Sequence, residues 1–312
     1  MRLLFMGTPS FAVPTLRKLL SSHHKVSGVF TQPDRPSGRG HKLTICPAKQ
    51  LALHSGLPVY QPERLASKDW KMLVETAADV LVVVAYGKIL PPWLFALPSY
   101  GAINVHASLL PRYRGAAPIP WAIFRGETRT GVTTMRINRG MDTGDLLLQK
   151  EVEIGPEETA VELQDRLAAM GADLLVETLD CLEAGQVQPR AQNKQLASYA
   201  PMLKKADGEI NWNQSSQKIC NRVRAFNPWP GAFTYRSGSL LRILKARPFT
   251  SCVQQQVVGS LWRWGSNRAL VACAEGWLEL LEVQPENHKP VAASDFLNGL
   301  RLKNGHSIAL GT

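Results

Sequence analysis

Short apolar runs alternate with helical patterns along the first third of the chain. One of these runs, at 80–85, is almost entirely aliphatic, as in a strand that is buried on both faces. Strands separated by helices are typical of α/β domains with a parallel sheet. We therefore predict a doubly wound, mostly parallel sheet here. Its predicted strands lie at 2–6, 26–31, 80–85 and 102–106, and its predicted helices follow residue 9 and lie at 48–54 and 70–77.

A different pattern begins after residue 207. A long amphipathic helix at 157–184 closes the first part, and a second helical pattern covers 211–224. Short apolar runs separated by turn residues then follow, which predicts a small β-barrel. The predicted strands of this barrel lie at 232–235, 240–245, 257–262, 269–272 and 277–283.

The length of the chain also favours two domains, because 312 residues are too many for one ordinary domain. A polar stretch with prolines and the pair Lys204-Lys205 lies between the two patterns, as in a linker. We predict a first domain at 1–188, a linker at 189–207 and a second domain at 208–312.

Composition is that of a globular protein, with 45% hydrophobic and 20% charged residues. No apolar run is long enough for a membrane span, and the first seven residues are too few for a signal peptide, so we expect a cytoplasmic protein without membrane contact. The cysteines are scattered and show no metal-ligand spacing, so neither disulfides nor a metal site is expected. They are Cys46, Cys181, Cys220, Cys252 and Cys273.

Positive charge is concentrated in the smaller, C-terminal part of the chain. The net charge is +11. Residues 1–200 contain 22 Lys and Arg against 18 Asp and Glu, a net +4, whereas residues 201–312 contain 14 against 7, a net +7. Such an excess favours a polyanionic partner, because each neutralised phosphate releases counterions. Solubility is the alternative explanation of the charge.

The candidate chemistry lies at the end of the predicted strand at 102–106. Alternate residues of a strand point to the same face, so Asn104 and His106 project together while Ile103 and Val105 face a core. Asp142 follows in a loop that is flanked by glycines. An amide, an imidazole and a carboxylate are thereby expected around one reacting group.

These three side chains suit attack of an amine on a carbonyl carbon. Asn104 and a protonated His106 supply two donors for the oxyanion, and Asp142 can fix the imidazole tautomer and order a proton-accepting water. Ser108 is an alternative nucleophile, but its two-residue offset from His106 directs it beside the imidazole. Alternatively, the residues of a lone Asn-x-His form hydrogen bonds at the end of a strand and have no catalytic role.

The motifs as a set resemble the enzymes that use N10-formyltetrahydrofolate, and end to end the chain resembles the bacterial methionyl-tRNA formyltransferase family. The signature consists of Asn-x-His-x-Ser-Leu-Leu-Pro at 104–111, Arg-Gly at 114–115 and Met-Asp-Thr-Gly-Asp at 141–145. Further matching segments lie at 7–9, 31–40, 82–87, 115–119 and 224–230.

This resemblance implies a folate pocket on the first domain and an OB-like fold for the second. Gly7-Thr8-Pro9 lacks the later glycines of a dinucleotide fingerprint and no P-loop occurs, so NAD and ATP are disfavoured. A slot of backbone groups between aliphatic walls suits a flat pterin. The implied pocket residues are Val84, Tyr86, Gly87, Ile89, Ser108, Leu109, Leu110 and Pro111.

A long basic loop at 33–49 and the basic second domain are the implied tRNA contacts, with Arg39 the chief one. Lys49 belongs to the same loop. The sequence departs from the usual family pattern at His41, at Ile45-Cys46 and at Asn211. The candidate tRNA-binding residues are Arg35, Arg39, Lys42, Lys204, Lys205, Arg222, Arg224 and Lys245.

The resemblance therefore predicts transfer of the formyl group of 10-formyltetrahydrofolate to the free amine of initiator methionyl-tRNA by a monomeric enzyme. Two alternatives remain open at the level of sequence. A related enzyme would formylate an amino sugar on a nucleotide or hydrolyse the formyl folate. A protein of another class would bind RNA through the barrel without catalysis.

Overall fold

A computed structural model describes residues 1–37, 42–65, 78–250 and 257–311. Contacts divide the chain into two compact units. The first unit comprises Met1–Pro118, Arg129–Glu153 and Leu163–Ala200, and the second comprises Ile119–Thr128, Ile154–Glu162 and Pro201–Thr312. The helix predicted at 70–77, Arg39 and His41 lie outside the described residues.

The first unit contains a seven-stranded sheet with the order β5-β2-β1-β6-β7-β8-β9. Its members are β1 (Arg2–Gly7), β2 (Lys25–Phe30), β5 (Val59–Tyr60), β6 (Val80–Val84), β7 (Ala102–His106), β8 (Arg129–Arg136) and β9 (Leu146–Glu153). Within this order, β5, β2, β1, β6 and β7 are parallel to one another. β8 pairs antiparallel with β7, and β9 pairs antiparallel with β8. A separate hairpin consists of β3 (Arg35–Ser37) and β4 (Lys42–Thr44). The predicted mostly parallel sheet is confirmed.

Both faces of this sheet are covered, as a doubly wound fold requires. In β1, Leu3 and Phe5 belong to one buried apolar cluster, whereas Leu4 and Met6 belong to another. Alternate residues of a strand point to opposite faces, so two cores flank one strand. This double burial explains the continuous apolar runs that predicted β1 and β6.

The sequence did not predict the antiparallel edge of the sheet. β8 contains the buried residues Thr130, Thr133 and Thr134, so its buried face does not read as apolar. The hydroxyl groups of Thr134 and Thr178 lie 2.8 Å apart, which satisfies both within the core. Buried threonines thus hid this strand from a search for apolar alternation.

The described helices are α1 (Val13–Leu20), α2 (Pro47–His54), α3 (Pro92–Phe95), α4 (Pro118–Phe124), α5 (Ala160–Glu183), α6 (Ser216–Phe226) and α7 (Ala293–Gly299). The long helix α5 matches the helix predicted at 157–184. It begins at Ala160 because Thr159 and Glu162 form reciprocal hydrogen bonds at its start, from Thr159 N to Glu162 Oε2 (2.8 Å) and from Glu162 N to Thr159 Oγ1 (3.3 Å). No helix among the described residues is long and apolar enough to span a membrane.

The second unit is built on an antiparallel sheet that curls into half a barrel. Its path is β10-β11-β14-β13-β12-β16, with β15 paired to β14. The strands are β10 (Ala232–Arg236), β11 (Ser239–Phe249), β12 (Ser260–Trp264), β13 (Arg268–Ala272), β14 (Trp277–Pro285), β15 (Val291–Ala292) and β16 (Ser307–Ala309). The small β domain expected from the sequence is confirmed.

The helix predicted at 211–224 starts later than expected. Ser215 is its N-cap and its Oγ accepts a hydrogen bond from Lys218 N at 3.3 Å. Asn211 lies in a preceding turn, where its Oδ1 accepts from Asn213 N at 2.9 Å. Local side-chain hydrogen bonds therefore hold 211–214 outside the helix.

Candidate active site

The strand β7 places Asn104 and His106 on one face at the carboxyl end of the sheet. Ile103 and Val105 belong to the core of the opposite face. His106 is only 6% exposed, and Asn104 is half-buried. No recorded hydrogen bond within the described part of the chain involves the Asn104 amide, so this amide is available to a ligand.

The imidazole of His106 lies between a carbonyl and a carboxylate. Its Nε2 is 2.9 Å from Tyr113 O. A carbonyl only accepts, so this contact requires a hydrogen on Nε2. Nδ1 faces Asp142 and lies 3.7 Å from its Oδ2, which is within ion-pair reach but longer than a hydrogen bond. The structure thus brings together the histidine and the aspartate that the sequence predicted.

The carboxylate of Asp142 is held by backbone as well as by its own loop. Asp142 has a positive φ of 51°, and its Oδ2 accepts a hydrogen bond from Gly115 N at 2.8 Å. Gly115 has a φ of 117°, and a Cβ there would lie 2.7 Å from Ala200 O. The Arg-Gly motif at 114–115 therefore supplies a close backbone approach that only glycine allows.

The buried side chains of Arg114 and Gln192 hold the loop that carries Asp142. Arg114 is 4% exposed and donates from Nε (3.0 Å) and Nη2 (2.7 Å) to Gln192 Oε1. Gln192 Nε2 in turn donates to Asp142 O at 2.9 Å and to Gly144 O at 2.7 Å. The residues on both sides of Thr143 are thereby anchored. Sequence reasoning missed Gln192, because it lies in the predicted linker and in no recognised motif.

The loop is also tightly packed against its own strand. A Cβ on Gly144 would lie 1.7 Å from Arg136 O, so no other residue fits there without movement of backbone. Asn138 Oδ1 accepts hydrogen bonds from Gly140 N at 2.9 Å and from Thr143 Oγ1 at 2.8 Å. The loop from 138 to 145 is therefore built to hold one conformation.

Ser108 does not have the surroundings of an activated nucleophile. Ser108 is fully buried, and its Oγ donates to Arg112 O at 2.6 Å. Ser108 O accepts from Thr133 Oγ1 at 2.6 Å. With its hydroxyl hydrogen directed to a carbonyl, Ser108 supports the turn after β7 rather than covalent catalysis.

Some of the predicted folate-binding residues are buried in the core, and others are exposed to solvent. Val84 is fully buried in an apolar cluster, so its side chain is not available to a ligand, which corrects its placement as a pocket wall. Tyr86 is also buried, and its carbonyl accepts from Thr8 Oγ1 (3.2 Å) and Gln32 Nε2 (3.0 Å). Ile89, by contrast, is 88% exposed.

The other part of the predicted pocket, at 108–111, is tied to the antiparallel strands. Leu110 is buried, and its N donates to Thr133 Oγ1 at 3.2 Å. Its carbonyl accepts from Gln149 Nε2 at 2.9 Å. The segment thus offers a fixed backbone rather than mobile side chains.

The candidate tRNA-binding residues also differ in their exposure to solvent. Arg35, Lys204, Lys205 and Lys245 are exposed. The backbone of Lys42 lies in β4, and Arg39 is not described. Lys49 of the same basic loop forms an ion pair with Asp34.

Arg222 and Arg224 are structural cations, which corrects their prediction as phosphate contacts. Arg222 is 8% exposed, donates to Asp207 O and Glu209 O, and lies 4.9 Å from the centre of the Phe124 ring. Arg224 Nη1 donates to two further carbonyls, at 2.9 and 3.1 Å. Burial lowers the pKa of both guanidinium groups, as expected where the charged form is desolvated.

A second cluster of ionisable groups lies at the amino end of the sheet. His23, His24 and Glu183 have possible ligand atoms within 4.8 Å of one another. Both ring nitrogens of His24 are already engaged, by the Met1 amine at 3.2 Å and by Asp180 at 3.0 Å. Burial, then the charges of His23 and the Met1 amine, lower the pKa of His24. Hydrogen bonds to the Met1 amine and to Asp180 therefore account for the position of the His24 ring.

Comparisons with known proteins identify the family of the chain. The profile of the formyl transferase family matches residues 1–179, and that of the formyl transferase C-terminal domain matches residues 202–301. The chain is 52% identical to a methionyl-tRNA formyltransferase of Solibacter usitatus, over 100% of this chain and 99% of that protein. It is 47% identical to a methionyl-tRNA formyltransferase of Geobacter metallireducens, over 97% of each.

The fold is also similar to solved structures. A sugar 3N-formyl transferase, WlaRD, whose crystal structure was determined in the presence of dTDP and 5-N-formyl-THF, superposes with a TM-score of 0.66. The match covers 93% of this chain and 99% of that protein at 18% identity, so it supports the fold alone.

Proposed function

The chain belongs to the formyl transferase family, and we propose that it transfers the formyl group of 10-formyltetrahydrofolate to the amino group of methionyl-tRNA at the Asn104, His106 and Asp142 site. The observation that carries this function is the identity of 52% over the whole chain to a methionyl-tRNA formyltransferase. The predicted family, enzyme class and formyl donor are confirmed. The roles of individual residues are our proposal.

The amine of methionine attacks the formyl carbon, and negative charge develops on the formyl oxygen. The Asn104 amide has no competing partner among the described residues and donates to this oxygen. His106 Nε2 is engaged with Tyr113 O, so Nδ1 is the ring nitrogen that serves the reacting group. Donors placed in advance at a developing charge stabilise it without reorganisation during the reaction.

Asp142 acts beside His106 rather than on the formyl group alone. Its Oδ2 is held by Gly115 N and lies 3.7 Å from His106 Nδ1. The carboxylate favours a hydrogen on Nδ1 and accepts, through a water, the proton that the attacking amine loses. The proton that the leaving N10 requires is returned by the same pair of groups.

The acceptor is a tRNA, and we propose that exposed cations outside the active site contact its phosphates. Arg35 of the first unit and Lys204, Lys205 and Lys245 of the second are exposed and suited to this role. We retain Arg39 and Lys42 as proposed contacts from the sequence resemblance.

A competition assay tests the function. Purified enzyme receives 10-formyltetrahydrofolate together with methionyl-tRNA, a nucleotide-linked amino sugar and water as acceptors, and formylated products and free formate are measured. We expect N-formylmethionyl-tRNA as the main product. Formylation of the sugar, or release of formate at the same rate without tRNA, would overturn the proposal.

Three further properties stand as proposals. The enzyme acts in the cytoplasm, where translation is initiated, and it acts as a monomer. Its catalytic domain ends near 188 and its tRNA-binding domain begins near 208.

A further inference from the structure

Both ends of the segment at 190–200 are anchored by backbone hydrogen bonds within the first unit. At its start, Arg190 and Leu146 exchange two hydrogen bonds, at 2.8 and 2.9 Å, and Leu146 is the first residue of β9. At its end, Ala200 N donates to Arg114 O at 2.7 Å. The segment is therefore fixed beside the loop before β9 and the turn after β7, the two places from which the candidate catalytic side chains project.

Ser198, a half-buried residue of this segment, binds the turn after β7 with its side chain and its backbone. Its Oγ accepts a hydrogen bond from Tyr113 N at 2.9 Å. Its carbonyl accepts from Arg114 N at 2.8 Å, and its N donates to Pro111 O at 3.3 Å. Ser198 therefore holds the peptide groups on both sides of Tyr113.

Tyr113 has a backbone conformation that needs such support. Its φ is 59°, in the left-handed region that a bulky residue seldom adopts, and it is only 4% exposed. A residue keeps a conformation of this kind when its surroundings impose it. The two peptide groups that flank Tyr113 define this conformation, and both donate their N–H to Ser198. Ser198 thus sets the direction of the Tyr113 carbonyl.

The Tyr113 carbonyl is the group that engages the imidazole of His106. The N–H and C=O of one trans peptide point in opposite directions, so the peptide that donates to Ser198 directs its oxygen to the other side, where it lies 2.9 Å from His106 Nε2. This oxygen only accepts, so it holds a hydrogen on Nε2. Nδ1 is then the ring nitrogen that faces Asp142, 3.7 Å from its Oδ2. The orientation of the catalytic ring therefore depends on Ser198 through one peptide group.

We propose that Ser198 is a positioning residue for formyl transfer, which fixes Tyr113 so that its carbonyl holds His106 with Nε2 protonated and Nδ1 directed to the reacting groups. The proposal rests on the proposed function, since it concerns the same site. Ser198 acts through Tyr113 and not on the substrate. Together with Gln192, which holds the loop of Asp142, it makes the segment at 190–200 the common support of the histidine and the aspartate.

Ser198→Val and Ser198→Thr form a matched pair, because the two side chains have the same shape and only threonine keeps the hydroxyl. Exposed Ser55→Val is the control elsewhere in the first unit. We expect Ser198→Val to lower kcat about threefold to thirtyfold while KM for both substrates changes less than about twofold, because a displaced imidazole impairs the reaction geometry. Ser198→Thr and Ser55→Val should retain kcat. Steady-state formylation of methionyl-tRNA measures both constants, and thermal unfolding shows that the variants are folded.

Nuclear magnetic resonance of histidine-labelled enzyme reports the positioning directly, with the Nε2–H signal of His106 assigned by its absence from His106→Ala. We expect this hydrogen to be protected from exchange in the intact enzyme and in Ser198→Thr, and to exchange at least about tenfold faster in Ser198→Val.

Two results would overturn the assignment. One is an intact enzyme in which Nε2 of His106 carries no protected hydrogen, which decides the matter even if Ser198→Val does not fold. The other is a folded Ser198→Val with the kcat or the Nε2–H exchange of the intact enzyme. A lack of any transfer to methionyl-tRNA by the intact enzyme would instead reject the proposed function, whereas the exchange measurement would still test the support of His106.

Discussion

The two units use buried polar groups in different ways. In the first unit, buried Arg114 and Gln192 hold the loop that carries Asp142 against His106. In the second, buried Arg222 donates to the backbone carbonyls of Asp207 and Glu209 and packs on Phe124. The same residue type, arginine, therefore supports a site in one unit and the fold in the other.

A count of charged residues therefore does not show which cations are available to a partner. The C-terminal excess of positive charge favoured a polyanionic partner, yet two of its arginines, Arg222 and Arg224, donate to carbonyls of their own unit. The exposed lysines carry the part of that excess that remains available to phosphates. Variants of both units can separate effects on stability from effects on catalysis and on RNA binding.

The largest effect is expected at the amide of the first unit. Asn104→Ala should lower kcat for formyl transfer at least about a hundredfold, because it removes the proposed oxyanion donor. Single-turnover formylation of methionyl-tRNA measures this change. Thermal unfolding should be unaffected, since no described residue depends on this amide, and a kcat within about threefold of the intact enzyme would remove Asn104 from the mechanism.

The next effect should arise from Gln192, which touches the loop but not the reacting atoms. Gln192→Leu should lower kcat about tenfold to a hundredfold, because a small displacement of Asp142 impairs the reaction geometry. Gln192→Glu still accepts from Arg114 but cannot donate to the loop carbonyls, so we expect a similar loss of kcat.

Exposed Gln195→Leu is the matched control and should be neutral. Steady-state kinetics with both substrates distinguishes a loss in kcat from a loss in KM. Full activity of Gln192→Glu would show that the donated hydrogen bonds are unimportant.

A paired test in the second unit separates structural from available cations. Arg222→Leu should lower the free energy of unfolding by about 1–3 kcal/mol, because it removes the donor to two partly buried carbonyls. Lys245→Leu should change that free energy by less than about 0.5 kcal/mol and reduce the salt dependence of tRNA binding by about one unit of slope.

Denaturant unfolding and filter binding at several salt concentrations measure the two quantities. The distinction between the two kinds of cation fails if Lys245→Leu destabilises the protein as much as Arg222→Leu does.

The smallest effect concerns the ion pair at the base of the basic loop. Hydrogen bonds from Lys49 and then from Gln61 lower the pKa of Asp34 from its ordinary 3.8. A lowered folded-state pKa stabilises the protein above the unfolded-state value, and this contribution is lost as pH falls through the folded-state pKa. Asp34→Asn should therefore cost about 0.5–1 kcal/mol at pH 7, a difference that disappears in the acid range below 3.8.

Urea unfolding at neutral and acid pH checks this expectation, with exposed Asp165→Asn as the control. A cost that stays constant across the pH range would mean that Asp34 acts through packing rather than through its charge.

The sequence predicted those parts of the molecule that depend on strand periodicity. Asn104 and His106 share a face because they are two residues apart in a strand. The neighbouring aliphatic residues Ile103 and Val105 indicate that strand. The loop of Asp142 was identified through its motif. Gln192 was beyond prediction because its role depends on a long-range contact with Arg114, 78 residues earlier in the chain.

Arg222 and Arg224 were misassigned for a related reason. Their helix α6 presents them to carbonyls from other parts of the second unit, and burial of this kind depends on tertiary packing. The antiparallel strand β8 was missed because threonines fill its buried positions. Local pattern therefore predicted most elements and the shared face of Asn104 and His106, whereas tertiary packing decided which polar residues are buried.

We propose that His106 acts on the formyl group with Asn104 and Asp142 beside it. The most direct test is the single-turnover rate of formyl transfer to methionyl-tRNA by His106→Ala, measured with folate binding by calorimetry on the same preparation. We expect a rate at least about a hundredfold below that of the intact enzyme, with folate affinity retained. A folded variant that transfers the formyl group at nearly the original rate would contradict it.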